Sequence, residues 1–238
     1  MDEKQQIIAE YKQKFTEIQN SLKSKINTRD IISLSSVKTV AGVDLAYWKE
    51  NETEYAVCCI VLLDYQSHQV LERSEHTAPV EVPYIPACLA FRELPLFLQA
   101  DKKLSCRPDL YFFDGNGYLH PRHMGLACHA GIILGKPAIG VAKSYYKIDN
   151  TDFTMPEDKE YAYTDIQIKG EIYGRALRTH KGVKPVFVSV GNQIDLDTAT
   201  TAVCQMTTWE SHIPMPTRLA DLMTHEARQR LVKAAAIV

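Results

Sequence analysis

Residues 109–142, with the sequence DLYFFDGNGYLHPRHMGLACHAGIILGKPAIGVA, decide the fold. The apolar run at 109–113 predicts a short buried strand, and 122–134 has the length and apolar content of a helix. A glycine and a proline end that helix, and 137–142 predicts a second strand. A strand–helix–strand unit implies two parallel strands joined by a right-handed crossover. The segment therefore predicts an α/β domain.

The chain before this unit predicts one helix followed by a small meander. Apolar residues recur at helical spacing over 4–24. Three strands are predicted next, at 38–47, 55–63 and 69–76. The short connection between the last two favours antiparallel pairing. A helix follows at 88–100, and Pro95 is expected to kink or restart it.

The chain after this unit predicts two further strands and two closing helices. Residues 145–168 are polar and irregular in pattern. The strands are predicted at 170–178 and 185–190, and the helices at 195–210 and 217–235. No repeat or linker interrupts the pattern, so a single domain over 1–238 is expected. Antiparallel strands followed by a parallel unit predict a mixed β-sheet flanked by helices on both faces.

Composition narrows the class of protein without deciding its function. The 238 residues are 45% hydrophobic and 24% charged, as in an ordinary globular protein. The net charge of −2 argues against a protein that coats nucleic acid by bulk positive charge. The sequence contains no run of about 18 apolar residues, so it predicts no membrane-spanning helix. The charged N-terminus and six cysteines without a CxxC pattern predict reduced thiols and a cytoplasmic location.

Two aspartates interrupt or end apolar strands. Asp44 lies inside the apolar run 40–45, where a charge is unfavourable unless it is paired or binds a metal. The alternative is a strand-end acid that faces water or an arginine. Asp114 ends the strand at 110–113, and the helix that follows places it at the carboxyl edge of the sheet, where α/β proteins bind ligands. The alternative is an Asp-Gly hairpin turn.

Two further acids lie in predicted helices. Glu93 follows Arg92, and the alternative there is an ion pair on a solvated helix face. Asp221 lies in the first turn of the last helix, where the helix dipole alone favours an acid. Taken together, the four acids suggest a hard-cation site, because magnesium takes oxygen ligands and keeps several waters. Two such ions can hold the attacking and leaving oxygens of a phosphoryl displacement.

Five segments, in this order, resemble the motif series of the endonuclease V family. They are VAGVDLAY (40–47), PYIPACLAFREL (83–94), DGNGYLHPRHMGLACHAG (114–131), GVAKS (140–144) and PTRLADL (216–222). The most specific parts are PYIP followed by FRE, and DGxGxxHPR followed by GVAK. The resemblance covers roughly residues 35–225, which is nearly the whole chain.

The resemblance implies a ribonuclease H-like fold and a metal-dependent nuclease. The implied reaction is hydrolysis of DNA at the second phosphodiester 3′ to a deaminated purine such as deoxyinosine. The implied cofactor is Mg²⁺, with Mn²⁺ as a substitute. By resemblance, Asp44 and Asp114 match the central metal ligands, and Glu93 and Asp221 match acids that hold metal or its waters.

Two basic side chains match further family positions. Lys143 follows the GVA strand, where a lysine can orient the attacking water or offset charge on the phosphate. His120 precedes Pro121 and matches a contact to phosphate or the leaving group. Without the resemblance, the alternatives are an exposed strand-end lysine and a histidine that hydrogen-bonds within a loop.

The PYIP segment matches the family's wedge, which fills the gap left when a base is turned out of the duplex. The inserted side chains would come from four residues, Pro83, Tyr84, Ile85 and Pro86. The alternative for such a peptide is an extended entry into the next helix. By resemblance Leu89 and Gly115 belong to the base pocket, and Gly125 would allow close approach of the backbone to the base.

Two positions depart from the family pattern. Ala87 follows PYIP where the family usually has glycine, and its methyl group could narrow the pocket or restrict the loop. Asn192 stands in a Gly-Asn pair where the family has Gly-His, which would weaken any phosphate contact made there.

Other functions remain open from the sequence. The same chemistry directed at inosine in RNA differs in how it accommodates the ribose 2′-hydroxyl. A different nuclease of the same fold would not need PYIP. A protein that binds lesions without cutting would bind without magnesium. The expected partner is lesion-containing DNA, with a monomeric protein and no membrane association.

Overall fold

The computed structural model describes residues 3–235, with side chains for 5–234. The helices are α1 (Glu3–Leu22), α2 (Leu89–Asp101), α3 (Leu126–Leu134), α4 (Leu196–Gln205) and α5 (Met215–Ala235). The strands are β1 (Thr39–Glu50), β2 (Thr53–Asp64), β3 (Val70–Pro79), β4 (Leu110–Asp114), β5 (Ala138–Ala142), β6 (Ala162–Ile168), β7 (Glu171–Arg178) and β8 (Val186–Asn192). Within these residues, no helix is long and apolar enough to cross a membrane.

The described strands form one mixed sheet in the order β3-β2-β1-β4-β5-β8-β7-β6. Strands β1, β2 and β3 pair antiparallel, as the sequence predicts. Strand β4 lies parallel between β1 and β5, which confirms the strand–helix–strand unit. The remaining pairs, from β5 through β8 and β7 to β6, are antiparallel. The three parallel strands therefore form the centre of the sheet.

Helices cover both faces of the sheet, because alternate residues of a strand point to opposite faces. On β4, Leu110 and Phe112 pack toward α4 and α5. Tyr111 and Phe113 pack toward α2 and α3 on the other face. Burying a side chain of this size contributes about 1.5–3 kcal/mol. The expected α/β sheet with helices on both faces is confirmed.

The structure corrects three details of the predicted elements. Strand β6 lies in the stretch predicted to be irregular, because its alternation of exposed polar and buried apolar residues is weak at a sheet edge. Helix α3 begins at Leu126 rather than near 122, because the ring Nδ1 of His120 accepts the backbone N–H groups of Arg122 and Met124. Helix α2 continues through Pro95, whose ring faces solvent.

The six cysteines are free thiols, in agreement with the expectation from their spacing. Four of them are buried: Cys58, Cys59, Cys88 and Cys128. Burial raises the pKa of these thiols, so they remain neutral parts of the core.

Candidate active site

Two aspartates lie side by side at the carboxyl edge of the parallel strands. Val43 of β1 is in register with Phe113 of β4, so the next residues, Asp44 and Asp114, are neighbours. Both side chains alternate with residues that face α2 and α3, so both point toward α5. The sheet register thus brings together two acids that are far apart in sequence.

Helix α5 supplies a third acid because it packs directly on β1. A Cβ atom added to Gly42 would lie 1.8 Å from the carbonyl oxygen of Pro216, so glycine is needed for this approach. The helix then carries Asp221 over the strand ends. Carboxylate oxygens of Asp44, Asp114 and Asp221 lie within 4.8 Å of one another. These three residues are called the carboxylate cluster below.

Lys143 lies at the same edge, two residues beyond the partner of Asp114 in β5. Its Nζ is 2.6 Å from Oδ2 of Asp114 and 2.9 Å from Oδ1 of Asp221. Burial by itself would lower the pKa of Lys143, but the hydrogen bonds and charges of the two aspartates outweigh it and raise the pKa. The ammonium is therefore charged and partly neutralises the cluster.

The carboxylate cluster retains uncompensated negative charge despite this lysine. Burial and the neighbouring Asp114 raise the pKa of Asp44 to about 7. Burial also raises the pKa of Asp114, against the opposing effect of Lys143. Raised carboxylate pKa values mean that the site favours added positive charge. A hard divalent cation, which binds carboxylate oxygens, fits this donor set.

Glu93 faces the cluster from α2 but is not one of its members among the described side chains. Its side chain is buried and accepts a 2.8 Å hydrogen bond from the hydroxyl of Tyr47. Burial, together with the charges of Asp44 and Asp114, raises the pKa of Glu93 to about 8. Because the charges of these two aspartates act on its pKa, Glu93 lies near the cluster. The structure thus brings carboxylate oxygens of three of the four predicted acids within 4.8 Å of one another and holds the fourth, Glu93, on Tyr47 outside that group.

The solvated-face alternative for Arg92 and Glu93 is wrong, because both side chains are buried. The guanidinium of Arg92 lies 4.6 Å from the ring centre of Tyr47 and 2.7 Å from a carboxylate oxygen of Glu54. These contacts compensate the arginine charge. They also hold the side of α2 that carries Glu93 against the sheet.

Two neighbours of Asp221 on α5 were not found from the sequence. The Oγ1 of Thr224 lies 3.1 Å from Oδ2 of Asp44 and donates to it or to the Asp221 carbonyl oxygen. Nε2 of His225 is 3.7 Å from Oδ1 of Asp221. The spacing of three and four residues on one helix places both on the face that carries Asp221. That spacing was visible in the sequence, but the direction of the face was not.

A pocket opens beside the carboxylate cluster. Its lining includes Tyr84, Ala87, Leu89, Asn116, His120, Met124, Gly125 and Tyr146. This loop pocket therefore contains three residues expected at the substrate, Tyr84, Leu89 and Gly125. Gly115 is not among its lining residues. With a φ of +150°, Gly115 instead allows the turn between the cluster and the pocket.

Gly125 is required by packing of the chain as well as by the pocket. A Cβ atom there would lie 2.3 Å from the carbonyl oxygen of Asn116. A side chain at this position would therefore push apart the two segments that form the pocket floor. Gly125 is the N-cap residue of α3, so this close packing lies at the start of that helix.

The PYIP loop (residues 83–86) presents its side chains unequally. Tyr84 is 65% exposed at the mouth of the loop pocket. Ile85 is buried and packs with Phe15 and Cys88. Pro83 is half-buried and Pro86 is exposed. Of the two non-proline residues of this loop, Tyr84 is exposed and Ile85 anchors the loop.

His120 lies in the loop pocket with both ring nitrogens engaged. Its Nδ1 accepts two backbone N–H groups, so the proton is on Nε2, which lies 3.0 Å from the Ala87 carbonyl oxygen. Burial lowers the pKa of His120 to about 4. The ring is therefore neutral near pH 7, and it links the segment before α3 to the backbone of Ala87. Its contact with phosphate or leaving group stays a prediction.

The two departures from the family pattern have different consequences. Ala87 has a φ of +62°, the left-handed region that favours glycine, and it lines the loop pocket. Asn192 is buried, donates to the carbonyl oxygen of Gly131 and accepts the backbone N–H of Asn27. Its amide is satisfied inside the protein, and the effect of this departure on a phosphate contact stays a prediction.

A mixed sheet covered by helices, with two strand acids and one helix acid in a single cluster, is typical of metal-dependent phosphodiester hydrolases of ribonuclease H-like fold. A family model described as Endonuclease V matches residues 20–222. Endonuclease V of Bacillus thuringiensis is 53% identical over 221 residues, which are 93% of this chain and 94% of that protein. This chain belongs to the endonuclease V family.

Solved structures agree with this assignment. The crystal structure of endonuclease V from Bacillus subtilis has a TM-score of 0.91 and 50% identity, with 94% of each chain covered. Endonuclease V of Ciona intestinalis, in complex with a 24mer DNA containing an inosine followed by a ribo-adenosine, has a TM-score of 0.82 and 29% identity. That comparison covers 93% of this chain and 99% of the other.

Proposed function

We propose that this protein is a magnesium-dependent DNA-repair endonuclease. It nicks DNA at the second phosphodiester 3′ to a deaminated purine, with deoxyinosine as its main substrate. The observation that carries this proposal is the proximity of two features: the carboxylate cluster and the loop pocket lie at one edge of the sheet. Asp114 belongs to the cluster and Asn116, two residues later, lines the pocket.

This spacing supports incision close to the recognised base. Two residues of chain span at most about 7 Å. Stacked nucleotides rise about 3.4 Å per step along each strand. A base held in the loop pocket and a phosphate held at the carboxylate cluster therefore belong to the same or nearby nucleotides. The second phosphodiester on the 3′ side is within that range.

The proposed ion is Mg²⁺, with Mn²⁺ as a substitute, because the cluster offers oxygen donors alone. Asp44, Asp114 and Asp221 would hold it, and Glu93 would contact it through water. When bound, a divalent ion polarises the phosphate and lowers the pKa of a bound water. Glu93 and Tyr47 would fix the position of such a water from the α2 side.

The basic side chains have separate proposed tasks. Lys143 keeps an ammonium group beside the carboxylates, and its flexible stem lets the group turn toward the scissile phosphate. There it would orient the attacking water or offset the charge that develops on the phosphate oxygens. His120 would contact a phosphate or leaving-group oxygen by donating its Nε2 proton, which in the free protein faces the Ala87 carbonyl oxygen.

The loop pocket would receive the base after it is turned out of the duplex. Leu89 would form an apolar wall on one side of the base. Gly125 would form the other wall, where the backbone can approach the base closely. Tyr84 would stack in the gap left in the helix, which offsets part of the lost stacking of a few kcal/mol. Pro83 and Pro86 stiffen the PYIP loop, so little further entropy is lost when it orders on DNA.

DNA is the proposed partner, and the protein is proposed to act on it as a monomer. The Ciona intestinalis relative bound to inosine-containing DNA supports this class of substrate. Inosine in RNA is the main competing substrate, since the same metal chemistry hydrolyses either backbone. The two differ at the 2′-hydroxyl beside the scissile phosphate.

A nicking assay with magnesium tests the proposal. The substrates are a deoxyinosine duplex, a matched unmodified duplex and a matched inosine-containing RNA. We expect one nick, one nucleotide beyond the lesion, in the deoxyinosine strand, and none in EDTA. Cleavage of the RNA alone would show that inosine-containing RNA is the substrate, with the proposed hydrolysis unchanged. Lesion binding without cleavage under all conditions would make this a recognition protein.

A further inference from the structure

Helix α1 places a buried glutamine directly behind the loop pocket. Gln19 is 1% exposed, whereas Gln6 and Gln13 of the same helix are exposed and bond to glutamates one turn away. A buried amide must have partners for its two donors and its acceptor, because an unsatisfied one is destabilising by about 1–3 kcal/mol. The partners of Gln19 therefore reveal what it holds.

The amide of Gln19 bridges two walls of the loop pocket. Its Nε2 lies 3.0 Å from the carbonyl oxygen of Ala87 and 3.1 Å from that of Met124. Both residues line the pocket, one after the PYIP loop and the other before α3. The two hydrogens of an amide have a fixed angle between them. One group therefore sets the distance between the carbonyls of two residues, Ala87 and Met124, that are 37 positions apart in the sequence.

Arg122 fixes the direction of this amide. Its Nε donates to Oε1 of Gln19 at 2.7 Å, and its Nη2 donates to the Ala87 carbonyl oxygen at 2.8 Å. Arginine only donates and carbonyls only accept, so the oxygen and nitrogen of Gln19 are assigned by their partners. The left-handed backbone of Ala87 turns its carbonyl into this junction.

We propose that Gln19 is a positioning residue that sets the width of the loop pocket and thereby the preference for the deaminated base. This inference rests on the proposed function. Gln19 touches none of the acids, so it acts on recognition of the base through the backbone of both walls.

The test is the variant Gln19→Met, which keeps the length of the side chain and removes all three hydrogen bonds. On the deoxyinosine duplex, kcat/KM should fall about tenfold, mainly through KM. Activity on the unmodified duplex and the magnesium concentration at half-maximal rate should not change. Gln19→Glu should not rescue, because its second oxygen would face two carbonyl oxygens.

Gln13→Met on the exposed face of α1 is the matched control and should behave as wild type. If Gln19→Met does not fold, Gln19→Asn, which keeps the amide on a shorter stem, gives the same comparison. Wild-type selectivity combined with an unchanged KM in the folded variant would overturn this inference alone. An equal loss on both duplexes would also overturn it. Absence of lesion preference in the wild type would instead overturn the proposed function.

Discussion

The carboxylate cluster and the loop pocket are two residues apart along the chain but are built by different means. The cluster is charged and stands on the interior of β1, the end of β4 and one helix, held by strand register and by the close approach of α5 at Gly42. The loop pocket is largely apolar and lies between loops, held by hydrogen bonds to backbone carbonyls, chiefly that of Ala87.

This difference separates two functional requirements. Phosphoryl transfer needs charges fixed to within a fraction of an ångström, and a sheet provides that rigidity. Recognition of a flipped base needs a shape that can admit the base, and loops can open while a hydrogen-bonded junction restores their spacing. Changes to the cluster should therefore act on rate and metal dependence, and changes to the pocket should act on substrate preference.

The largest effect is expected for Asp114→Asn, which keeps the shape of the side chain and removes a central ligand. We expect the cleavage rate to fall by at least about 10³-fold, because the ion loses a charged contact. The fold should persist, because the substitution removes repulsion within the cluster. Nicking assays and thermal unfolding measure both, with the exposed Asp152→Asn as control. Retained nicking would exclude Asp114 from the metal site.

Lys143→Met should reduce kcat by about a hundredfold, because the only ammonium within hydrogen-bond distance of two cluster acids in the described structure is lost. The preference for deoxyinosine over unmodified DNA should be retained, since Lys143 does not line the loop pocket. Lys147→Met in the same segment is the matched control. A loss of preference with intact kcat would reverse the assignment of the two regions.

Tyr84→Ala should weaken the lesion preference about tenfold while leaving the magnesium dependence unchanged. An exposed aromatic ring at the pocket mouth contributes stacking of about 1–3 kcal/mol per base. The measurement is kcat/KM on the deoxyinosine and unmodified duplexes side by side. Equal losses on the two duplexes would contradict a wedge role. Tyr161→Ala, at another exposed tyrosine, controls for a general surface effect.

The metal-free protein should lose stability as pH rises from about 4 to about 8. The folded-state pKa values of Asp44 and Glu93, about 7 and about 8, lie above their ordinary values of 3.8 and 4.5. The folded protein therefore binds these protons more tightly than the unfolded chain. The associated stability is fully present below about pH 4 and is lost as pH rises through the folded pKa values.

Thermal unfolding from pH 5.5 to 8.5 in EDTA and in magnesium checks this effect. The Tm in EDTA should fall by a few degrees toward high pH, and magnesium should restore more of it at pH 8.5 than at pH 5.5. Asp44→Asn should flatten the slope measured in EDTA. The same slope in wild type and variant would show that Asp44 titrates normally.

The smallest effect is expected for Ala87→Gly, which relieves the strain of a left-handed backbone conformation at this position. The strain costs about 1 kcal/mol, and the extra freedom of glycine in the unfolded chain offsets part of it. We therefore expect the Tm to be unchanged or raised by a few degrees, with the cleavage rate preserved and a wider range of accepted bases. Ala9→Gly in the exposed part of α1 should instead lower the Tm. A similar decrease for Ala87→Gly would show that its backbone is unstrained.

The resemblance of the motifs allowed more of the site to be predicted than the patterns alone. Local patterns predicted the central strand–helix–strand unit and the placement of Asp114 at its edge, because both depend on neighbouring residues. They did not predict β6, whose edge position leaves one face in solvent and weakens the apolar signal. They also predicted helix in the loop before α3. In that loop a ring nitrogen of His120 accepts backbone N–H groups, and this contact is not visible in the local pattern.

The sequence by itself determined which residue types are present: one acid within an apolar strand and another at a strand end, a stiff PYIP segment and small residues for close packing. Tertiary structure alone decided which of them meet. Asp221 lies beside Asp44 because α5 crosses β1 at Gly42. Glu93 is hydrogen-bonded to Tyr47, and Ile85 is buried against Phe15 and Cys88. Gln19 joins the walls of the loop pocket across about a hundred residues of chain. Such contacts depend on packing between distant segments, and periodicity along the chain reports only which face of an element is apolar.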